Sequence, residues 1–140
     1  MLLMWTDNLK VGVRDFDDDH KRVVRIINEL NNAIQDAAVT GEIEPIEMEI
    51  ALHRLDNYIL YHCAQEELSM TLTRYPDLEE HKKEHVKLRV LIGDLQDRFK
   101  GSTNPKDAMD ISTFIFERII DHILVTDRKY TAHLNAKGII

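Results

Sequence analysis

Cysteine is almost absent from this sequence, whose 140 residues include only Cys63. A single cysteine excludes an internal disulfide framework, and it excludes a zinc site built from four cysteines or from two cysteines and two histidines. Long apolar runs are also absent, since none approaches the roughly 18 residues that a membrane-spanning helix requires. Residues 1–5 are too short for the apolar core of a signal peptide, and no basic residue precedes them. We therefore expect a cytoplasmic protein that does not insert into a membrane.

Positive charge is scarce as well. The 18 Lys and Arg residues are outnumbered by 25 Asp and Glu residues, which gives a net charge of −7. A chain without a basic excess has little capacity to displace counterions from a phosphate backbone, so we expect no nucleic-acid partner. Hydrophobic residues make up 44% of the chain, as in ordinary globular proteins, and the length suits one domain over residues 1–140.

Apolar residues at helical spacing predict four helices joined by short connections. The stripe of the first helix, for example, extends from Val23 to Ala38. No strand pattern of useful length competes with these stripes. The predicted boundaries are an extended arm over residues 1–16, helix starts at residues 17–19, 45, 78 and 105, and breaks at Gly41, residues 75–77 and the loop over residues 101–105. The expected fold is all-α, an antiparallel up-down four-helix bundle with an extended N-terminal arm.

Histidines and carboxylates interrupt the apolar stripes of all four predicted helices. Each buried polar group without a partner costs about 1–3 kcal/mol, and a domain of this size has only about 5–15 kcal/mol of net stability. Something must therefore satisfy these groups together, and imidazoles beside carboxylates are typical metal ligands. The candidate ligands are His20, His62, Glu66, His81, His85, His122 and, on a less regular spacing, Asp127.

The spacing of these residues suits two ions better than one. His62 and Glu66 are four residues apart, so they lie on one helix face, and the same holds for His81 and His85. Five imidazoles and two carboxylates exceed the needs of one tetrahedral zinc ion, and they suit two octahedral ions bridged by the carboxylates. This donor set favours iron over copper or zinc, and spacing alone leaves manganese open.

The simple pattern does not describe Asp127, His53 and His133. His122 and Asp127 are five residues apart, which on an ideal helix separates them by about 140°. Either the fourth helix is distorted there, for example by a π-bulge, or it ends there. His53 and His133 lie off the apolar stripes, and we interpret them as surface or ordinary polar residues.

Short motifs in a fixed order link these positions to a known family. They are Trp5-Thr6, Val11-Gly12-Val13, Asp19-His20-Lys21, His62-x-x-x-Glu66-Glu67-x-x-Met70, Tyr75-Pro76, His81-x-x-x-His85 and His122-x-x-x-x-Asp127. Together they span almost the whole chain, with a candidate ligand on every predicted helix. The chain resembles the hemerythrins, and in particular the single-domain bacteriohemerythrins.

The resemblance implies a di-iron centre that binds dioxygen reversibly. By analogy, His81, His85 and His122 are the terminal ligands of one iron, and His20 and His62 hold the other. Glu66 and Asp127 bridge the two irons together with an oxo or hydroxo group. The two-histidine iron is then five-coordinate, and dioxygen binds at its open position. The implied role is oxygen transport, storage or delivery rather than enzymatic catalysis, although a weak peroxidase-type activity is compatible with such a centre.

Two positions depart from the family pattern. Most hemerythrins have phenylalanine where this chain has Cys63, and that ring lines the oxygen pocket. Cys63 is either a small buried residue with neighbours that fill the gap, or it leaves a larger and wetter pocket with a less durable oxygen adduct. Asp19 stands where the family often has an amide, and there we expect it to add charge near the helix start and little else.

Other functions are compatible with parts of the pattern. The string from His81 to His85 matches the H-x-x-E-H motif of inverzincin peptidases, but the helical stripe leaves Glu84 off the face that the two histidines share. A ferritin-like oxidase needs paired E-x-x-H motifs, which are absent. On the hemerythrin scaffold itself, the alternatives are an oxygen or redox sensor and a peroxide-reducing di-iron enzyme. Sensors usually carry a fused output domain, so signalling by 140 residues would need a separate partner.

The resemblance to hemerythrins also implies the binding partners. They are dioxygen and, to supply electrons, a separate redox partner. The sequence leaves the oligomeric state open, and a monomer is compatible with it.

Overall fold

The computed structural model describes residues 4–100 and 104–140, and within them it contains helices and no strand. The helices are α1 (Arg14–Thr40), α2 (Pro45–Leu72), α3 (Leu78–Phe99), α4 (Pro105–Asp121) and the short α5 (Thr131–Ala136). Each of the four long helices packs against two others, α1 on α2 and α4, and α3 on α2 and α4. This arrangement confirms the predicted all-α four-helix bundle. No helix in the described part of the chain is long and apolar enough to cross a membrane.

The N-terminal arm is shorter than the predicted extended segment over residues 1–16. Its described part includes a 3₁₀ turn, Asp7–Leu9, and α1 begins at Arg14 rather than at residues 17–19. The physical reason is the position of Asp17, which lies inside the first helical turn and accepts a hydrogen bond from the Val11 backbone N–H at 2.7 Å. Asp17 therefore clamps the arm onto α1 instead of capping the helix from outside. Residues 1–3 of the predicted arm lie outside the described residues.

The predicted helix boundaries are otherwise reproduced where the structure describes them. Gly41 ends α1 in the left-handed conformation, at φ 86°. This conformation is open to glycine at little cost. The side chain of Asn104 accepts a hydrogen bond from the Lys106 backbone N–H at 2.9 Å, and Pro105 occupies the first position of α4. The rest of the predicted loop before Asn104, residues 101–103, lies outside the described residues.

The apolar stripes form the core, with one exception at the end of α1. Ile34 is buried, but Ala38 is exposed, and Ala37 packs against the core in its place. Two successive steps of four residues rotate a stripe by about 80°, whereas a step of four followed by a step of three rotates it by only about 20°. Leu30, Ile34 and Ala38 are spaced by two steps of four residues, so Ala38 lies off the buried face of the helix.

The end of the fourth helix is distorted, as the spacing of His122 and Asp127 predicts. A π-helical turn, His122–Thr126, follows α4, and a 3₁₀ turn, Asp127–Tyr130, leads into α5. The π turn accommodates an additional residue in the helical path. His122 Nε2 consequently lies 2.9 Å from Asp127 Oδ1, although the two residues would point in different directions on a regular helix.

Candidate metal centre

The predicted ligands form two overlapping groups in the interior of the bundle. Within each group, one ligand atom from every residue lies within 4.8 Å of the others. The three-histidine group contains Glu66, His81, His85, His122 and Asp127, and the two-histidine group contains His20, His62, Glu66 and Asp127. Both carboxylates therefore belong to both groups, which is the arrangement required of residues that bridge two ions.

Different elements supply these side chains, and their contacts cross the bundle. His20 on α1 places Nε2 3.2 Å from Asp127 Oδ2. His81 on α3 places Nε2 3.2 Å from the other oxygen of Asp127, Oδ1. Glu66 Oε1 lies 2.9 Å from His62 Nε2 on its own helix and 3.4 Å from His85 Nε2 on α3. Each carboxylate thus faces histidines of both groups.

The chemistry of these atoms fits metal ions. Glu66 and Asp127 are fully buried, at 0% exposure, and none of their four carboxylate oxygens has a hydrogen bond of acceptable geometry among the described residues. The Nε2 atoms of His81 and His85 face each other at 3.0 Å. Buried polar atoms that converge without satisfying one another are costly, and cations that accept several nitrogen and oxygen ligands remove that cost. The residues present therefore fit a pair of metal ions.

The charges inside the cluster shift the pKa values of its members strongly. Burial by itself would lower the pKa of His62, but the charge of the nearby Glu66 carboxylate and the hydrogen bond to Asp19 outweigh it and raise that pKa to about 10. Burial and Asp127 would raise the pKa of Glu66, yet the attraction of His62 lowers it to about 2. Without metal, the interior therefore holds carboxylates balanced by protonated imidazole, and protons compete with metal for the same nitrogens.

The second carboxylate is paired in the same way. Burial opposes ionisation of Asp127, but the charge of His122 and the close approach of His20 and His81 hold its pKa well below the usual range. Conversely, Asp127 raises the pKa of His122 against the opposite effect of burial.

Two acidic residues outside the ligand groups hold histidine rings by their other nitrogen. Asp19 Oδ2 lies 2.9 Å from His62 Nδ1, and Glu67 Oε2 lies 2.9 Å from His85 Nδ1. A carboxylate on Nδ1 sets the ring orientation and directs the Nε2 lone pair to a metal. The expectation that Asp19 adds little beyond charge is therefore wrong, because its oxygen reaches across from α1 to a histidine of α2. Sequence spacing within one helix gives no signal for such a contact.

Tyr130 is a site residue that the sequence analysis missed. Its side chain is fully buried, and its ring stacks on His81 with centroids 5.5 Å apart and an angle of 29°. Burial and the nearby charges of Glu66 and Asp127 raise the pKa of its hydroxyl well above the ordinary value, so this tyrosine stays protonated. A signal was present in the sequence, because Tyr130 follows Asp127 by three residues, the spacing of one helix face.

The remaining candidate residues lie where the sequence predicts. Cys63 is buried, at 3% exposure, and burial and then the charge of Glu66 raise the pKa of its thiol. His53 is exposed, and His133 Nε2 lies 2.9 Å from the Thr73 carbonyl oxygen, away from both ligand groups. Glu84 points outward and accepts a hydrogen bond from Lys87 at 2.9 Å, which is inconsistent with the general base of a peptidase.

The bundle and its two overlapping ligand groups define a class, the four-helix-bundle metal-binding proteins. The family model described as the hemerythrin HHE cation binding domain matches residues 11–134. The chain therefore belongs to the hemerythrin family, which confirms the resemblance seen in its motifs.

Individual relatives agree over nearly the full length. The chain is 31% identical over 136 residues to the bacteriohemerythrin of Methylococcus capsulatus, covering 96% of this chain and 98% of that protein. It is 29% identical over 141 residues to the bacteriohemerythrin of Stenotrophomonas maltophilia, covering 96% and 85%. A crystal structure of wild-type hemerythrin matches with a TM-score of 0.78 at 30% identity, covering 96% of this chain and 98% of that one.

Proposed function

We propose that this protein binds dioxygen reversibly at a di-iron centre. The single observation that carries the proposal is that both buried carboxylates belong to two ligand groups with unequal numbers of histidines. The three-histidine group offers five protein residues, and the two-histidine group offers four. Glu66 and Asp127 would be shared by both irons, and the two-histidine group, with one protein ligand fewer, would leave room for a small molecule to bind.

Several residues of this chain prepare the site for that role. Asp19 and Glu67 orient His62 and His85 through their Nδ1 atoms, so the Nε2 atoms face inward without further rearrangement. The iron pair supplies the two electrons that dioxygen takes up on binding. Neutral imidazoles keep the reduced state accessible, whereas a site richer in carboxylates would favour irreversible oxidation.

Apolar and aromatic side chains keep water away from the two-histidine group. The ring of Phe16 packs edge-on against His62, with centroids 5.7 Å apart, and against Tyr130 at 5.6 Å. Phe16 and Tyr130 are 4% and 0% exposed. Excluding water limits both the supply of protons and competition for the open position. A dry pocket of this kind supports carriage rather than turnover.

The proposed setting is the cytoplasm, with a separate electron donor that returns oxidised iron to the reduced state. Under this proposal the protein is a carrier, store or delivery protein and not an enzyme. An oxygen or redox sensor and a peroxide-reducing enzyme are the alternative functions for the same scaffold.

Oxygen mixing with the iron-loaded protein tests the proposal. Metal analysis is expected to give two irons per chain, and anaerobically reduced protein is expected to be nearly colourless. On rapid mixing with oxygen, a charge-transfer band should develop, and removal of oxygen should reverse it. One metal ion per chain, or zinc as the native metal, would contradict the di-iron assignment. Immediate oxidation without a detectable adduct would instead favour the sensor or the peroxide-reducing enzyme.

A further inference from the structure

An open groove of about 750 Å³ lies between α1 and α2 on the outside of the bundle. Its lining includes Arg22, Arg25, Arg54, Ile26, Tyr58 and Tyr61, and we call it the arginine groove. None of its described lining residues is acidic, although the chain as a whole has a net charge of −7. Carboxylates lie close to two of these arginines, Asp18 and Asp19 to Arg22 and Glu29 to Arg54, but none of them is part of the lining. The proposed function does not use the arginines of this groove.

The three arginines differ in what they contact. Arg54 forms an ion pair with Glu29 at the rim of the groove, at 2.6 Å between Nη1 and Oε2. Arg22 is exposed and lines the groove beside Tyr58. Arg25 has no ion-pair partner among the residues that the structure describes. Arg25, together with the exposed side of Arg22, can therefore form charge-assisted hydrogen bonds with an incoming anion.

The groove also offers surfaces for a flat apolar group. The rings of Tyr58 and Tyr61 lie with centroids 6.0 Å apart at an angle of 46°, and Tyr61 is 52% exposed. The buried side chain of Ile26 contributes an apolar contact between the charged residues. Aromatic rings stack on tyrosine and on the planar guanidinium of arginine, so an aromatic ligand would contact both kinds of side chain.

We propose that the arginine groove binds a small aromatic anion, namely a flat ring system that carries a phosphate group. The phosphate contacts Arg22 and Arg25, and the ring packs against Tyr61 and Ile26. The volume of about 750 Å³ is sufficient for a ligand of this size. Arginine recognises phosphate through paired, parallel hydrogen bonds.

A chain of contacts connects this groove to the metal centre. The hydroxyl of Tyr58 donates a hydrogen bond to Asp19 Oδ1 at 2.7 Å, and Asp19 Oδ2 lies 2.9 Å from His62 Nδ1. A ligand that contacts Tyr58 in the groove changes the environment of the carboxylate that orients His62. This consequence rests on the proposed function, because it requires His62 to be an iron ligand. Binding in the groove does not depend on it.

Calorimetric titration of the iron-loaded full chain tests the site with three probes: 1-naphthyl phosphate, 1-naphthol and inorganic phosphate. The aromatic phosphate is expected to bind most tightly. Arg25→Glu should weaken its binding about tenfold or more, since the charged contact becomes repulsive. Arg98→Glu, the same charge change at an exposed position near the C-terminal end of α3, should leave it unchanged. Tyr61→Ala should weaken binding of the aromatic phosphate but not of inorganic phosphate.

Three outcomes would overturn the inference. They are no binding of any probe, equal affinity for inorganic and aromatic phosphate, and equal losses in the Arg25 and Arg98 variants. Because 1-naphthyl phosphate is colourless, the visible absorption of the iron can be followed in the same sample, and a shift on saturation is expected. Reversible oxygen binding without probe binding rejects the groove alone. Probe binding to a protein that forms no oxygen adduct rejects the proposed function alone.

Discussion

Cys63 stands where the resemblance to hemerythrins implies a phenylalanine beside the metal centre. On α2 it lies about 100° around the helix from His62, close enough to flank the pocket of the two-histidine group. It is buried and its thiol stays protonated, so its effect on the site comes from size rather than charge. A cysteine occupies much less volume than a phenyl ring, and neighbouring side chains seldom fill such a gap completely. Any polar space that remains can admit water.

We therefore predict that Cys63→Phe slows autoxidation, while Cys63→Ala speeds it or leaves it unchanged. The ring excludes water that would otherwise supply protons and compete for the open position. The measurement is the decay of the oxygenated absorption band in matched buffers, with the iron content checked in each variant. An unchanged decay in the phenylalanine variant, with both irons present and the ring located in the pocket, would make Cys63 a packing residue without influence on oxygen.

Glu67 provides a second prediction at the residue scale. Glu67→Gln replaces the charged acceptor at His85 Nδ1, and we expect iron affinity to fall about 10- to 100-fold while the fold is retained. Glu84→Gln is the matched control, because Glu84 lies on the exposed side of α3 and contacts only Lys87 among the hydrogen bonds of the described residues. Competition with a chelator measures the affinity of each variant. Equal affinities in the two variants would show that Glu67 does not position His85.

At the scale of elements, the contacts around α1 and the end of α4 show how irregular segments complete the bundle. The backbone N–H of Val11 donates to Asp17, and its carbonyl accepts a hydrogen bond from the Thr131 hydroxyl at the start of α5. The arm thus joins the first helix to the last. Gly12 lies beside this contact at φ 81°, where an added Cβ would come within 2.9 Å of Thr131 Cγ2. A side chain at this position would separate the arm from α5.

Loss of the arm's clamp should cost stability. Asp17→Ala leaves the buried Val11 N–H without its acceptor, so we expect the free energy of unfolding to fall by about 1–3 kcal/mol. Asp15→Ala removes an exposed carboxylate from the same helical turn and should cost only about 0.3–1 kcal/mol through the helix dipole. Urea denaturation of the iron-loaded proteins compares them. If both variants lose the same amount, the clamp contributes nothing beyond a charge at the helix start.

At the scale of the whole molecule, the four helices meet around a cluster whose charges depend on metal. The pKa of His62 is raised to about 10 and that of Glu66 is lowered to about 2. The raised pKa of His62 stabilises the metal-free fold below its unfolded value of about 6.5, and this contribution is lost as pH rises toward 10. The lowered pKa of Glu66 stabilises the fold above its unfolded value of about 4.5, and this contribution is lost as pH falls toward 2.

Metal removal should therefore have an effect that depends on pH. The metal-free protein should lose thermal stability between about pH 6 and about pH 9. Over this interval the unfolded chain releases the His62 proton, whereas the folded protein keeps it until the pH approaches the raised pKa of about 10. The iron-loaded protein should not lose stability in this way, since metal ligands must already be deprotonated. Thermal melts of both forms at the two pH values give the difference in melting temperature between the iron-loaded and the metal-free protein. This difference should be larger at the higher pH. A difference that shrinks as pH rises would show that His62 does not carry the proton in the metal-free protein.

The sequence by itself determined the features that depend on local periodicity. Apolar spacing located the four long helices, and the four-residue spacing of His62 with Glu66 and of His81 with His85 placed each pair on one face. The five-residue gap from His122 to Asp127 likewise indicated a distorted helix, because helical geometry relates residues only a few positions apart.

Only the tertiary structure decided which carboxylates contact histidines of both groups and which residues orient each histidine. Packing brings Glu66 and Asp127 within reach of histidines from both groups, and it places Asp19 behind His62 across 43 residues of sequence. Spacing along one helix carries no information about the rotation of its neighbour. The three-residue offset from Asp127 could have indicated Tyr130 as a site residue, but its contact with His81 depends on how the segment after the π turn packs onto α3. Contacts between helices depend on how the helices pack together, so only the tertiary structure shows these parts of the site.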